Sequence, residues 1–389
     1  MTHPLPQNWQ QITLFELSEF ITKGATPTTY GFKWVDDGVI FLRSECVSKN
    51  GLNLSASMRI SDEANDALNR SKITTGDLLI TITGNVGRVC VVPESLKNAN
   101  INQHIAKVRV NAPKRTVPQY IYYFLDRDKV RFNYSNITTG QAYPQISLAQ
   151  VRDTIINLPP LPEQHRIVAV LETWDKAIEK LERKIALKKN VKKGLMQQVL
   201  TGKKRLPGFS GEWEEVKLGD CLKVKHGKSQ KEVEDIHGDF PILGTGGEMS
   251  RTNAFLHNKP SVLIGRKGTI DKPQYMDTPF WTVDTLFYTD VFDSCCPKFI
   301  YFQFLLIPWK LYNEGSGIPS LSASTISTIK IQIPVFDEQE AIANVLTSAD
   351  KEIEFLELKK QKIQDQKKYL LNNLITGRIR TPETMSIPS

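Results

Sequence analysis

Cysteine is scarce in this sequence and badly placed for chemistry. Its five copies, Cys46, Cys90, Cys221, Cys295 and Cys296, are odd in number and form no Cys-x-x-Cys pair, and no histidine is suitably spaced from them. A disulfide framework or a zinc centre is therefore not expected, and reduced thiols in a cytoplasm fit better. His226, His237 and His257 are scattered, without metal spacing. No apolar run approaches the roughly 18 residues of a membrane helix, and 1–10 do not resemble a signal peptide. Nucleotide-binding loops are missing too. There is no Gly-x-x-x-x-Gly-Lys-Ser/Thr, and Gly244-Thr245-Gly246 runs into Gly247-Glu248-Met249, outside the Gly-x-Gly-x-x-Gly pattern. Leu158-Pro159-Pro160-Leu161 lacks both the leading amide or acid and the trailing aromatic of the amino-methylating motif. No carboxylate–lysine cluster marks a nuclease. These absences argue against self-sufficient catalysis.

What is present is a repeat. Pro159, Glu163, Gln164, Leu171 and Thr201-Gly202 return as Pro334, Glu338, Gln339, Leu346 and Thr376-Gly377, at a constant offset (338 − 163 = 175). Each copy reads as one long helix with apolar residues spaced alternately by three and four, the pattern of a coiled-coil seam. The first seam is Leu171, Trp174, Ile178, Leu181, Ile185 and Leu195; the second is Leu346, Ile353, Leu356, Ile363 and Leu370. Lys188 and Lys192 interrupt the first, Lys360 and Lys367 the second. Prolines precede each helix, and Gly202 and Gly377 suit a left-handed C-terminal stop. About 38 residues of helix span roughly 55 Å. Such helices would hold two binding modules on the order of 13–16 base pairs apart on DNA.

Between the helices lie two β-rich blocks that share a skeleton but little sequence. The division is 1–158, a first globular domain; 159–206, the first long helix; 207–333, a second globular domain; and 334–389, the second helix and tail. Trp9 to Leu14 is matched by Trp213 to Leu218, and Lys23-Gly24 by His226-Gly227. A helix is expected at 118–131, with Pro297 to Tyr301 as its counterpart. The chain carries 50 Lys and Arg against 42 Asp and Glu, a formal charge of +8 and a pI near 9.0. That balance moderately favours a polyanionic partner. A scaffold kept alike beside two domains free to differ points to one kind of partner docked twice and two different things recognised.

Several loop residues are candidates for contact with DNA. Gly84-Asn85-Val86-Gly87-Arg88 and Gly265-Arg266-Lys267-Gly268 align as equivalent turns. They are either plain hairpins or close backbone approaches, with Asn85, Arg88, Arg266 and Lys267 reaching phosphates or a guanine edge. Gly140-Gln141-Ala142-Tyr143-Pro144 corresponds to Gly315-Ser316-Gly317-Ile318-Pro319. There Gln141 can pair with adenine, Tyr143 can touch a sugar or base, and Ser316 stands in the equivalent place. Arg43 and Gln103 are polar ends of apolar runs, and Lys228 follows Gly227. Arg251 follows the glycine-rich 244–247 turn, which reads as a DNA loop or an ordinary turn.

The helix starts Leu158-Pro159-Pro160-Leu161-Pro162-Glu163-Gln164 and Ile333-Pro334-Val335-Phe336-Asp337-Glu338-Gln339 carry a family resemblance. The stops Leu200-Thr201-Gly202 and Ile375-Thr376-Gly377 complete it. Over essentially its whole length the chain resembles the specificity (S) subunit of type I restriction-modification systems. The resemblance implies an α+β fold with two target-recognition domains, each reading half of a bipartite DNA site. It implies that the two long helices pair as an antiparallel coiled coil, set the spacer and dock two modification (M) subunits, with restriction (R) subunits joining. S-adenosylmethionine, ATP and Mg2+ would enter only through those partners, and this chain would itself be no enzyme. The competing reading is a coiled-coil scaffold with protein-binding globular ends.

Overall fold

Two segments of about forty residues dominate the chain, and both are single helices: Leu161–Val199 and Phe336–Ile375. The computed structural model describes residues 4–48, 51–140 and 143–385. The chain divides into two compact units, one of residues 1–180 with 360–389 and one of 181–359. Each unit therefore holds one β-rich domain, the start of one long helix and the end of the other.

In the first unit a four-stranded antiparallel sheet runs in the order Ser18–Lys23, Ile105–Val110, Leu78–Thr81, Val89–Val91. A three-stranded sheet places Trp34–Leu42 between antiparallel Met58–Ile60 and parallel Ala99–Ile101. The domain's first and last strands, Gln10–Thr13 and Ile155–Leu158, pair with each other. Leu78–Thr81 is buried on both faces. Leu78 and Ile80 join the main core, while Leu79 joins a smaller one with Cys46, Cys90 and Ile105. A strand covered on both sides reads as a continuous apolar run, which is why this stretch shows no alternation.

The second unit repeats this topology. Its four-stranded order is Leu222–His226, Leu286–Val291, Ser261–Gly265, Gln274–Met276, and its three-stranded order is Gly247–Thr252, Phe240–Gly244, Trp281–Thr282. Glu214–Lys217 closes on Lys330–Ile333. The expected helix at 118–131 is two helices, Pro118–Leu125 and Asp128–Asn136. The chain breaks at Arg127, whose backbone is extended and whose guanidinium lies 4.1 Å over the Phe124 ring. Its counterpart Pro297–Leu306 is one helix.

Within each unit the helix segments run antiparallel and pack into the domain core. Ile167, Leu171, Leu371, Leu374 and Ile375 are buried in the first core. Ile342, Leu346, Met196, Val199 and Leu200, at matching repeat positions, are buried in the second. Leu195 and Leu370, assigned to the seam from their spacing, are only half-buried, and Met196 and Leu371 take the inner place. A straight helix drifts relative to a seven-residue repeat, and these last turns face a domain rather than a partner helix. Of the remaining seam residues, Leu171, Ile185, Leu346, Ile353 and Leu356 are buried, while Trp174, Ile178, Leu181 and Ile363 are half-buried.

The interrupting lysines have partners. Lys192 pairs with Asp350 and lies over Phe302, while Lys367 pairs with Asp175 and lies over Tyr123. The two sets are repeat equivalents. Lys188 pairs with Glu352 at 2.8 Å. The Glu-Gln motif has a structural use as well. Gln164 accepts from the Val117 N–H at the start of helix Pro118–Leu125 and donates to the carbonyls of Arg115 and Pro159. Gln339 accepts from the Cys296 N–H, at the start of Pro297–Leu306, and donates to the Pro334 carbonyl. Gly202 and Gly377 take φ of 69° and 71°, the left-handed stop their position calls for. All five cysteines are free and buried. Among the described residues no helix is long and apolar enough to cross a membrane, and no His, Cys, Asp or Glu cluster could hold a metal ion.

Candidate nucleic-acid interface

In the first unit, five of the residues picked from sequence line one open cleft of about 540 Å³: Arg43, Asn85, Arg88, Gln103 and Tyr143. Five chain segments converge to build it, one of them the loop that carries Thr26. Arg43 follows the strand Trp34–Leu42, and its guanidinium meets the Glu45 carboxylate at 2.9 Å. Glu45 is held below the usual carboxylate range, first by its own backbone N–H and then by the neighbouring arginine. Asn85 and Arg88 come from the turn between Leu78–Thr81 and Val89–Val91. Gly84 and Gly87 there have φ of 75° and 80°, so the glycines are required by the backbone. Gln103 and His104 occupy the turn between Ala99–Ile101 and Ile105–Val110. Tyr143, 76% exposed, comes from the loop after the helices.

Backbone bonds lock these segments together. The Gly84 N–H donates to the Pro144 carbonyl at 2.9 Å, and the Ile82 N–H to the His104 carbonyl at 2.9 Å. Gly24 lies so close to the 101–102 backbone that a Cβ would sit 1.9 Å from the Ile101 carbonyl oxygen. Side chains extend the network: the Thr26 hydroxyl donates to Gln103 Oε1 at 2.5 Å, and Gln103 Nε2 lies 3.0 Å from His104 Nε2.

The second unit is locked by the same bonds at the equivalent places. The Gly268 N–H donates to the Pro319 carbonyl at 2.8 Å, the Arg266 N–H to the Thr285 carbonyl at 2.8 Å. A Cβ on Gly227 would sit 2.0 Å from the Val283 carbonyl oxygen. These bonds correct the alignment of the glycine turns. Gly268, not Gly265, is the counterpart of Gly84; Gly265 pairs with Leu286 as Thr81 pairs with Ile105. Arg266 and Lys267 therefore stand where Ile82 and Thr83 stand, ahead of the turn. The strand registers make Lys272, not Lys267, the second domain's counterpart of Arg88. The shared Gly-x-x-Gly spacing misled the sequence comparison, because Asp271 occupies the place of the second glycine.

Other candidates fall in different places. Lys228 and Ser316 are exposed on loops, and the Lys228 backbone is pinned to Thr282. The Arg251 guanidinium is taken up by the carbonyls of Gly238 and Asp239, both at 2.7 Å, and by Glu248 at 2.9 Å. It closes a loop. Gln141 lies outside the described residues. Ser44, adjoining Arg43 at the polar end of its strand, lines the cleft too; Trp34, Glu45 and Asn102, which also line it, carry no signal in the sequence. Trp34 begins the strand Trp34–Leu42 that leads into Arg43, and no local pattern marks it.

A family model described as the type I restriction modification DNA specificity domain matches residues 6–189 and again 210–365. The chain belongs to this family. The specificity subunit has curated relatives in Methanocaldococcus jannaschii. The putative type I restriction enzyme MjaX specificity subunit is 25% identical, with 97% of this chain and 95% of that protein covered. The MjaVIII specificity subunit is 26% identical, with 67% and 70% covered. Among solved structures, the S subunit of a type I restriction-modification system from M. genitalium matches with a TM-score of 0.65 at 17% identity. That match covers 96% of this chain and 99% of the other. The chain is thus a non-catalytic specificity subunit of a type I restriction-modification complex, with two target-recognition domains, long helices of coiled-coil type and an α+β fold.

Proposed function

We propose that each target-recognition domain reads one half of a bipartite DNA site through the loops just described. The observation that carries this is the repeated lock. Two domains with little sequence in common hold the same loops together by the same backbone bonds, while the exposed side chains differ. Rigid backbone with variable side chains is what discrimination of different base edges requires. Arg43, Arg88, Lys228, Lys267 and Lys272 supply phosphate contact, which positions the domain without carrying sequence information. The two long helices set the distance between half-sites and dock two M subunits; R subunits join the assembly. S-adenosylmethionine, ATP and Mg2+ belong to those partners in this reading.

Sequencing methylated positions in cells carrying the complete system tests it. A two-part motif with a fixed spacer is expected, and binding by the purified complex should weaken steeply with salt as phosphate contacts release counterions. A single uninterrupted motif, or salt-insensitive binding without sequence preference, would favour the scaffold reading instead.

A further inference from the structure

The turn that follows the parallel strand in each domain is fixed in the same way. In the first domain it is Asn102-Gln103-His104-Ile105, closed by the Ile105 N–H on the Asn102 carbonyl; in the second it is Val283-Asp284-Thr285-Leu286, closed by the Leu286 N–H on the Val283 carbonyl. Each turn is tied to the neighbouring strand end, through Ile82 or Arg266, and each packs against a glycine that leaves no room for a Cβ. Gln103 and Asp284 are therefore held by equivalent backbones. Their side chains have different hydrogen-bonding capacity.

Gln103 is half-satisfied. Thr26 occupies one acceptor position of its Oε1 and His104 one position of its Nε2, which fixes the amide plane on the cleft wall. One lone pair and one N–H are left over, an acceptor beside a donor, and that pair matches the N6 amine and N7 of adenine. Asp284 is exposed and can only accept. Beside phosphates a carboxylate is repelled, so at a DNA surface it is useful mainly toward an exocyclic amine, above all N4 of cytosine. Arg266 Nη1 donates to the Asp284 main-chain carbonyl at 3.1 Å, which places a cation next to it.

We infer that Gln103 and Asp284 are paired specificity determinants, Gln103 selecting an adenine in one half-site and Asp284 a cytosine in the other. This rests on the reading of the two domains as half-site readers.

The test uses the complete methylating complex and maps its methylated sites by sequencing, with binding to base-substituted duplexes as a second readout where methylation is lost. Gln103→Ala should lower discrimination about 10- to 100-fold at one A·T position of one half-site, leaving the spacer and the other half unchanged. Thr26→Val, which frees the amide without removing it, should weaken the same position less. Asp284→Asn turns an acceptor into an acceptor–donor pair, and preference at one position of the other half should move from cytosine toward adenine. Unchanged motifs in these variants, or a single variant altering both halves, would overturn the inference while leaving the half-site reading standing. A wild-type complex without any two-part motif would instead remove the reading beneath it.

Discussion

Arg380 grips both carboxylate oxygens of Glu163, with Nε 2.5 Å from Oε1 and Nη2 2.7 Å from Oε2, across 217 positions of sequence. The tail after one helix thereby closes on the start of the other. The Trp9 indole N–H donates to the same carboxylate at 3.1 Å. The second unit repeats the clasp with Arg205 on Glu338, at 2.7 and 2.5 Å. There the Trp213 indole N–H has no partner among the described residues. Glu163 is therefore held by one donor, the Trp9 indole, besides its charge partner's fork, and Glu338 by the fork of Arg205.

That difference predicts unequal costs. Arg380→Ala leaves a carboxylate only 4% exposed without its cation, but with the indole still donating. Loss of about 2–3 kcal/mol of unfolding free energy is expected, below the full cost of an orphaned buried charge. Arg205→Ala strands Glu338, which is 0% exposed, and should cost more. Urea titration of the two variants checks the order; equal or reversed losses would contradict it. Glu163→Gln with Arg380→Ala should cost less than the single arginine change, because no buried charge remains.

Gln164 and Gln339 make a second pair of unequal equivalents. Replacing Gln164 by Leu strands the Val117 N–H and the carbonyls of Arg115 and Pro159, and leaves the Thr116 hydroxyl only a long 3.4 Å bond to the Val117 carbonyl. Replacing Gln339 by Leu strands only the Cys296 N–H and the Pro334 carbonyl. With about 1 kcal/mol or more for each buried group left unsatisfied, Gln164→Leu should be the more damaging by about 1–2 kcal/mol. Thermal melts of the two proteins decide it.

The glycines packed against the 102–105 and 283–286 turns predict a local effect. Gly24→Ala drives a Cβ into the Ile101 and Asn102 carbonyls, and Gly227→Ala into those of Val283 and Thr282. Backbone cannot yield as a flexible side chain can, so each change should cost about 1–3 kcal/mol through overpacking. Each should also displace one of these turns only. Binding to duplexes altered in one half-site should then show Gly24→Ala relaxed in one half and Gly227→Ala in the other. Relaxation of both halves by either variant would count against modular reading.

How far the sequence disclosed this arrangement can be followed residue by residue. The Glu-Gln pairs and Thr-Gly stops were legible because a constant offset exposes them, although their use as clasp and cap depends on partners such as Arg380 and Val117 that no local pattern connects. Cleft residues Arg43 and Gln103 were legible as polar ends of apolar strands. Arg266 and Lys267 were misplaced because two glycines three apart fit two alignments, which the pairing of Gly265 with Leu286 and the bond from Gly268 to Pro319 separate. Asp284 gave no signal, since a lone carboxylate in a basic chain looks like ordinary surface. Its equivalence to Gln103 exists only in the hydrogen bonds of the turn.

Lys107 lies on the strand that leaves the Gln103 turn, and it predicts a pH dependence. Its side chain is buried, with the ammonium donating to the Lys72 carbonyl and sitting 4.7 Å over the Phe20 ring. Burial pushes its pKa from 10.5 down to about 8, against the pull of Asp77 and Glu19 and with the repulsion of Arg109. Below about pH 8 both folded and unfolded chains carry the proton, and the folded state bears the whole cost of burying the charge. Between about pH 8 and 10.5 the unfolded chain still binds the proton while the folded chain has released it, so this contribution to stability rises with pH. The difference between the two values corresponds to about 3 kcal/mol. Lys107→Met removes the titration. Unfolding free energy of wild type minus variant, measured by urea titration, should therefore increase by up to about 3 kcal/mol from pH 7.5 to pH 10.5. A flat or falling difference would show that the buried amine is not depressed.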